Sequence, residues 1–268
     1  MKEPVVWVKG AGDLATGVAH RLHRSGFKVV MTEIQRPTMV RRTVSFAEAV
    51  YEGQWQVEGV TAVLTPNLYG VHSAFKKNII PVLVDPFGKI AAALRPEVVV
   101  DAIIAKKNIA TNKNQAPVVI GLGPGFSAGE DVHAVIETNR GHYLGKVILQ
   151  GRAQPDTGSP GPVGGYTHER LLRSTSSGVF VPCADINSLV KAGQTVGFVG
   201  GKPVKTAIGG VLRGLLRGGL WVKEGFKLGD IDPRNCLEHC YTISDKARSV
   251  GGGVLEAILY LRRQGGGR

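Results

Sequence analysis

Val5-Val6-Trp7-Val8-Lys9-Gly10-Ala11-Gly12-Asp13-Leu14-Ala15 is the stretch on which the reading of the fold turns. An apolar run of strand length meets a glycine turn, and Thr16 to Ser25 then continues with Val18, Ala19 and Leu22 at helical spacing. A G-x-G-x-x-A string carries information in this strand, turn, helix context. Its first glycine permits a tight turn, its second lets backbone approach a pyrophosphate, and its small last residue lets helix pack on strand. A second strand, Lys28 to Thr32, ends on Glu33, about 20 residues beyond the glycines, where a ribose-binding acid is expected. Arg36, in the loop just past the strand, either meets a 2′-phosphate or is a surface arginine. The expectation is a bound NAD or NADP on Gly10, Ala11, Gly12, Asp13, Leu14, Ala15, Glu33 and Arg36. The alternative is a turn kept for topology that holds no nucleotide.

A second strand-to-glycine turn, Val118 to Phe126, ends in Gly123-Pro124-Gly125-Phe126. Its exposed amides suit an anion, so these four residues join the expected cofactor-binding set, with a tight turn needing positive φ as the alternative. A helix is expected over 132–138 behind it, and an earlier one with Val44, Ala47 and Val50 on its apolar face. Asp85 and Asp101 end buried strands, where open parallel sheets place ligands; they are site candidates or caps of the next elements. Glu137, Arg140 and His142 lie within six residues, and Arg140 is free by sequence to pair with Glu137. Asp101, Lys106 and His142 are candidate proton donors with no motif behind them, which favours binding over hydride transfer.

The 268 residues suit one large domain or two modest ones. No apolar run approaches the ~20 residues of a membrane span, and with the first strand beginning almost at once no signal peptide is expected. Cys183, Cys236 and Cys240 are too few for a disulfide framework. A reduced, cytoplasmic protein is expected. The net charge is +12, of which +4 lies in residues 1–144 and +8 in residues 145–268. No nucleic-acid motif accompanies it, so an anionic ligand or an acidic partner is expected, with a basic solvated surface as the plain alternative.

Beyond Lys146 the chain changes to short strands punctuated by glycine, beginning with Lys146 to Gln150. Val190-Lys191-Ala192-Gly193-Gln194-Thr195-Val196-Gly197 returns 32 residues later as Val222-Lys223-Glu224-Gly225-Phe226-Lys227-Leu228-Gly229. With the hairpin tip Gly200-Gly201-Lys202-Pro203 between the copies, this resembles the biotinyl/lipoyl barrel-sandwich family. The residues flanking Lys202 differ from those read by that family's modifying enzymes, so no covalent cofactor is expected on it. Cys236, His239 and Cys240 lack both a fourth ligand and a zinc spacing, and no metal is expected. A last helix is expected over 254–262, too apolar for a free tail and packed back on the first domain.

Six strings taken together resemble one family: GAGDLATG at 10–17, VIGLGPGF at 119–126, VIETNRGHYLG at 135–145, GVLRGLL at 210–216, GDIDPR at 229–234, and ISDKAR with GGGVLEAIL across 243–259. They are similar to the YqeB family of selenium-dependent molybdenum hydroxylase system proteins. The resemblance implies an N-terminal Rossmann-like NAD(P)-binding domain. It also implies a maturation role akin to that of xanthine dehydrogenase accessory factors, which handle the molybdopterin cofactor. It carries over no catalytic residue. The expected fold is α/β: a Rossmann-like parallel-sheet domain over 1–145, a barrel-sandwich-hybrid β domain over 146–234, and a C-terminal segment and helix over 235–268 packing on the first domain. The expected function is an accessory protein for a molybdenum hydroxylase client, holding NAD, NADP or a molybdopterin-type cofactor. A free-standing NAD(P)-dependent oxidoreductase and a nucleotide-binding regulator without chemistry are the alternatives.

Overall fold

The computed structural model describes residues 4–265. Contacts between Cα atoms divide the chain into two units, the first formed by residues 1–37, 46–157 and 243–268 and the second by 38–45 and 158–242.

The first unit is built on a nine-stranded sheet. Its elements are β1 (Val5–Lys9), α1 (Asp13–Arg24), β2 (Lys28–Glu33), α2 (Ala49–Glu52), β3 (Gln54–Val57), β4 (Val60–Leu64), α3 (Leu68–Lys76), β5 (Ile80–Val84), α4 (Lys89–Ala93), β6 (Val98–Asp101), β7 (Val118–Leu122), β8 (Ala134–Ile136) and β9 (Val147–Ile148). The strand order is β3-β4-β5-β2-β1-β6-β7-β8-β9. The inner pairs are parallel, and the edge pairs β3–β4 and β8–β9 are antiparallel. Valine-rich strands such as Val98-Val99-Val100 and Val118-Val119-Ile120 are buried on both faces, as covered parallel strands require. One face buries Trp7, Val99, Val119 and Val135 with Val71 of α3 and Ala91 of α4.

The expected Rossmann-like domain followed by a barrel-sandwich hybrid is overturned by this architecture. The sheet is mixed rather than parallel. Among the described residues no α-helix lies between β6 and β7 or between β7 and β8, so the strand–helix alternation stops half-way across the sheet. The expected helix over 132–138 is strand β8. Val132, Ala134, Val135 and Ile136 are all buried, and a strand covered on both faces has the apolar density of a buried helix. The expected helix around Val44 to Tyr51 is two 3₁₀ turns, Arg42–Val44 and Phe46–Glu48, and the short α2. The sheet also continues past Gly145 into β9, so the first unit runs to residue 157.

The face over β7, β8 and β9 is covered by the last helix, α5 (Asp245–Gly265). It starts nine residues before the expected Val254, and Gly251-Gly252-Gly253 lie inside it. The glycines are explained by what they touch. A Cβ on Gly17 of α1 would sit 2.7 Å from the Ala247 Cβ, and one on Gly251 would sit 2.9 Å from the Gly17 carbonyl oxygen. A Cβ on Gly253 would overlap the Gly145 carbonyl oxygen, whereas one on Gly252 would meet nothing within 4 Å. Glu58 fixes the start of the helix: its Oε1 accepts the Ile243 N–H at 2.8 Å and pairs with Arg248 at 2.6 Å.

The second unit holds β10 (Leu171–Arg173), β11 (Gly178–Pro182), β12 (Leu189–Val190), β13 (Thr195–Val199), β14 (Lys202–Lys205), β15 (Gly210–Leu215), β16 (Trp221–Val222) and β17 (Lys227–Asp232). They form two antiparallel sheets, β10-β17-β15-β12 and β14-β13-β11-β16. Phe180, Val196, Val199, Leu212, Leu215 and Ile231 form the shared core. The two repeat copies supply β12 with β13 and β16 with β17. Residues 38–45 join this unit from far away in sequence: the Leu215 N–H donates to the Val40 carbonyl at 2.7 Å, and Arg42 Nε donates to the Leu215 carbonyl at 2.9 Å.

Gly251→Ala and Gly252→Ala separate packing from helix propensity. Alanine favours a helix interior over glycine by about 1 kcal/mol. Gly252→Ala is expected to raise stability, and Gly251→Ala to lower it by about 1–3 kcal/mol through overpacking against Gly17. Urea denaturation followed by circular dichroism checks both, and equal effects at the two positions would refute the close α1–α5 contact.

Candidate functional site at the carboxyl edge of the sheet

β1, β2, β6 and β7 end side by side, with Lys9 in register with Asp101 and Asp101 in register with Gly121. The loops leaving these ends form the candidate site. Gly10 has φ +87°, and a Cβ there would lie 3.0 Å from the Ala102 carbonyl oxygen, so only glycine lets the β1 loop pass the β6 loop. Ala11 is buried, and its N–H donates to Glu33 Oε1 at 3.0 Å. Glu33 Oε2 accepts the Ile34 N–H at 2.7 Å. Burial pushes the Glu33 carboxyl pKa up, against the pull of these two amides. Gly12 is the N-cap of α1 with φ −66° and no side-chain cap, and a Cβ there would meet nothing within 4 Å. Asp13 and Leu14 begin the helix, and Ala15 is buried. Arg36 lies exposed three residues past Glu33.

The second glycine turn is also at this edge but has a different role. A Cβ on Gly125 would lie 2.6 Å from the Lys107 Cα, and one on Gly123 would overlap Thr138 Oγ1. Phe126 is buried in the core with Val119 and Val135. Pro124 is partly exposed between the two glycines. The turn braces the loop between β6 and β7, and strand β8 comes after it in place of a helix. The structure therefore brings Gly10, Ala11, Gly12 and Glu33 together, and sets Gly123 to Phe126 beneath the neighbouring loop.

That loop is held by a network centred on Lys9, which in the sequence is only the end of an apolar strand. Lys9 Nζ donates to Thr111 Oγ1 at 2.6 Å and to Gln115 Oε1 at 2.7 Å, and lies 4.9 Å from the centre of the Trp7 ring. Thr111 Oγ1 in turn donates to Asp101 Oδ2 at 2.6 Å. Asp101 Oδ1 accepts the Ile103 N–H at 3.2 Å. Burial lowers the Lys9 pKa, partly offset by the Asp101 charge. The signal available in sequence was a lysine ending a strand whose neighbour ends in aspartate. Lys9, Asp101 and Thr111 are 8 %, 3 % and 3 % exposed, which suits holding a loop rather than meeting a substrate. The same loop keeps Ile104 at φ +60° and Lys106 at φ +62°. A β-branched residue in that region costs of order 1–3 kcal/mol and persists only where its surroundings enforce it.

Large apolar side chains stand exposed just past the ends of these strands: Ile34 after β2, Phe87 after β5 and Ile103 after β6, with Phe87 85 % exposed. The edge thus combines a helix N-terminus whose Leu14 N–H is taken by Asp13 Oδ1 at 2.9 Å, the Glu33 carboxylate, exposed cations at Arg36 and Lys107, and apolar surface. It can hold an anionic group together with a flat or apolar body.

The remaining candidates have local roles. Asp85 accepts the N–H groups of Lys89, Ile90 and Ala91 and so caps α4. Glu137 accepts from the Asn139 and Gln154 amides, and Arg140 pairs with Asp245 at 2.6 Å. The His142 ring stands edge-on to Tyr143, 5.0 Å away. Lys106 pairs with Asp156 at 2.7 Å. Lys202 begins β14 at the hairpin tip. Among the described residues no group of three or more His, Cys, Asp or Glu is arranged to hold a metal. Burial raises the Cys240 thiol pKa.

The second unit contains an ion cluster that the GVLRGLL and GDIDPR strings build. Asp230 meets Arg170 at 3.1 Å and Arg213 at 2.5 Å, and Asp232 meets Arg234 at 2.7 Å and Arg213 at 3.4 Å. Both aspartates are 1 % exposed, and their pKa values are lowered: burial opposes this but the arginines outweigh it. The cluster ties β15, β17 and the turn before β10 together.

No family model matches the chain. It is 49 % identical over 261 residues to "Uncharacterized protein YqeB" of Escherichia coli (strain K12), a match covering 97 % of this chain and 48 % of that protein. The YqeB resemblance is thereby supported. The chain spans about half the length of the curated relative it matches. Among solved structures it is similar to the product-bound ectoine utilization protein EutE (DoeB) from Ruegeria pomeroyi, with 14 % identity, 85 % of each chain covered and a TM-score of 0.26. It is also similar to an aspartoacylase family protein from Mesorhizobium loti, with 12 % identity, 86 % and 85 % covered and a TM-score of 0.28. These TM-scores are too low to assign a shared fold. No helix among the described residues is long and apolar enough to cross a membrane.

Two substitutions test the buried groups. The unfolded chain keeps the lysine proton up to about pH 10.4, whereas folded Lys9 releases it earlier. The unfolded state then binds more protons, so stability rises with pH in the window below 10.4. Lys9→Met is expected to lack this rise, read as urea midpoints between pH 7 and 10; an unchanged slope would contradict the burial argument. Asp230→Asn leaves Arg170 and Arg213 short of a buried partner, with an expected loss of about 3–5 kcal/mol near neutral pH. The lowered aspartate pKa contributes stability above the unfolded value near 3.9 that is lost as pH falls through the folded value. The difference between wild type and variant should therefore shrink in strong acid.

Proposed function

We propose that the chain is an accessory protein for a molybdenum hydroxylase of the selenium-dependent, xanthine dehydrogenase type, holding a phosphate-bearing cofactor at the carboxyl edge of its nine-stranded sheet. The observation that carries the proposal is Gly12: an N-cap residue with no side chain and open space beyond it, beside the Glu33 carboxylate, with the Leu14 N–H behind it taken by Asp13 Oδ1 at 2.9 Å. A phosphate can approach the helix N-terminus there. Gly10 to Ala15 would hold it, Glu33 would accept a hydroxyl, and Arg36 would add a cation at the rim. NAD, NADP and a molybdopterin-type cofactor are the ligands of this chemistry, and the nicotinamide or pterin would supply the redox or carrier function. The sealed Lys9–Thr111–Asp101 network supports holding over turnover. The hydroxylase client rests on the resemblance of the sequence strings to the YqeB family of selenium-dependent molybdenum hydroxylase system proteins, and the +12 net charge suits an acidic partner.

Gly12→Asp tests both halves. Aspartate is a better N-cap than glycine, so the variant is expected to melt no lower than wild type. It also places bulk and negative charge where the phosphate must come. Calorimetric titration with NAD, NADP and molybdopterin should show affinity for at least one, weakened about tenfold or more in the variant, which is about 1.4 kcal/mol. In a host lacking the gene, wild type but not the variant should restore hydroxylase activity and cofactor content. A fully active, fully loaded hydroxylase in the deletion host would reject the accessory role. Turnover of a small substrate with NAD(P) by the purified protein at about 1–1000 per second would favour a free-standing oxidoreductase.

A further inference from the structure

The sheet β14-β13-β11-β16 is apolar on both faces. Phe180, Val199, Val204 and Val222 point into the core and are at most 3 % exposed. Of the residues that alternate with them, Val179, Val181, Phe198, Pro203 and Trp221 are exposed and apolar too, and Lys205 at the edge is charged. Val179 pairs with Trp221, Val181 pairs with Phe198, and Phe198 pairs with Pro203. Val179 and Val181 are two residues apart on β11, so they share a face. One apolar band therefore crosses all four strands, with Trp221 60 %, Val181 56 %, Val179 47 % and Phe198 40 % exposed. An antiparallel sheet with one solvated face ordinarily alternates apolar and polar residues. A contiguous apolar band of this kind marks an interaction site, and tryptophan and phenylalanine are enriched where such sites bind.

The rim states what the partner carries. Lys202 and Lys205 stand exposed on β14 at one edge of the sheet, and Lys223 stands exposed just past β16 at the other. The second unit as a whole has 12 Lys and Arg against 6 Asp and Glu. Two of those acids, Asp230 and Asp232, are buried under arginines. Asp185 and Glu224 are the exposed acids near the band. A second copy of this face would bring the same lysines together, so self-association is opposed by charge. The apolar side chains lie in the strands, and the hairpin tip is Gly200-Gly201, with nothing to insert into a lipid layer. A protein surface with an apolar centre and carboxylates around it is complementary on both counts.

We infer that the outer face of β14-β13-β11-β16, centred on Val179, Val181, Phe198 and Trp221, docks an acidic-rimmed apolar patch on a partner protein. Only the partner's identity rests on the accessory role proposed above. The experiment has two arms on the full-length chain. A photo-crosslinking phenylalanine analogue in place of Trp221 is expressed in the native host and crosslinked protein is identified by mass, with the same analogue in place of Tyr69 as control. The captured protein is then purified, and its affinity for wild type, for Phe198→Ser with Trp221→Ser, and for Lys202→Glu with Lys205→Glu and Lys223→Glu is measured across salt. The expected result is a hydroxylase subunit captured from position 221 and not from 69. Its affinity should fall about tenfold or more in both variants, with a shallower salt dependence in the charge variant, while both variants melt as wild type. Capture of another acidic protein with the same losses keeps the docking face and rejects the hydroxylase as its client. No protein captured, unchanged affinity in both variants, or binding instead to phosphatidylserine vesicles overturns the inference.

Discussion

The close contact between α1 and α5 is the constraint on which the first unit depends. The sheet's later strands succeed one another without helices, so one face of β7, β8 and β9 would stand uncovered. Parallel strands buried on both faces must be covered on both. The chain meets this need with its last helix, which comes after the whole second unit in sequence. Gly17, Ala247 and Gly251 let the two helices approach until backbone meets backbone, and Gly145 with Gly253 does the same at the sheet's edge. Glycine inside a helix costs stability. The contacts it permits bury Val250, Val254 and Ile258, which offsets that cost at about 1.5–3 kcal/mol per large aliphatic side chain.

Legibility in the sequence tracks the range of the interaction involved. β1, the glycine turn, α1 and β2 are specified by neighbours a few residues apart, and Glu33 lies near the glycine loop because β2 pairs with β1. The repeat was legible for the same reason: each copy is a strand, a turn and a strand, with Gly193 and Gly225 both at φ +79°. β8 was misread because a doubly buried strand of three residues has no period to count. The start of α5 was missed because a triple glycine argues against a helix unless its packing partner is known, and Gly17 lies more than 200 residues away. The passage of residues 38–45 into the second unit rests on hydrogen bonds to Leu215, His239, Cys240 and Thr242, for which no local pattern exists.

Lysine at the end of an apolar strand shows the same limit at the candidate site. Lys9 means little alone. It acquires a role only when the sheet sets it beside Asp101 and the returning loop presents Thr111 and Gln115. The loop's strained residues are tolerated because this network anchors it at both ends: Ile104 and Lys106 sit between the anchors at Asp101 and Thr111. The network fixes the floor of the edge while the apolar residues Ile34, Phe87 and Ile103 remain outside it. A rigid floor and an exposed rim are what a binding edge needs, since ordering a loop on binding would cost affinity.

Within the first loop the glycines divide by cause. Gly10 is needed for folding: its φ is positive and the Ala102 backbone leaves no room for a side chain. Gly12 has neither reason. Its φ of −66° suits any residue, open space lies beyond it, and it sits at the N-cap, where serine, threonine, asparagine or aspartate would satisfy a free amide of α1. Replacing such a cap residue by glycine costs only a few tenths of a kcal/mol, so folding alone tolerates Gly12 without asking for it. Under the proposed function the ligand's anionic group would need the place that a capping side chain at position 12 would occupy. Around it Glu33, at the end of β2, takes the Ala11 and Ile34 amides, and Asp13 takes the Leu14 amide within the first turn. The loop's chemistry is therefore divided between a glycine that folding demands and one that folding merely permits, and it is the second on which the proposed anion site depends.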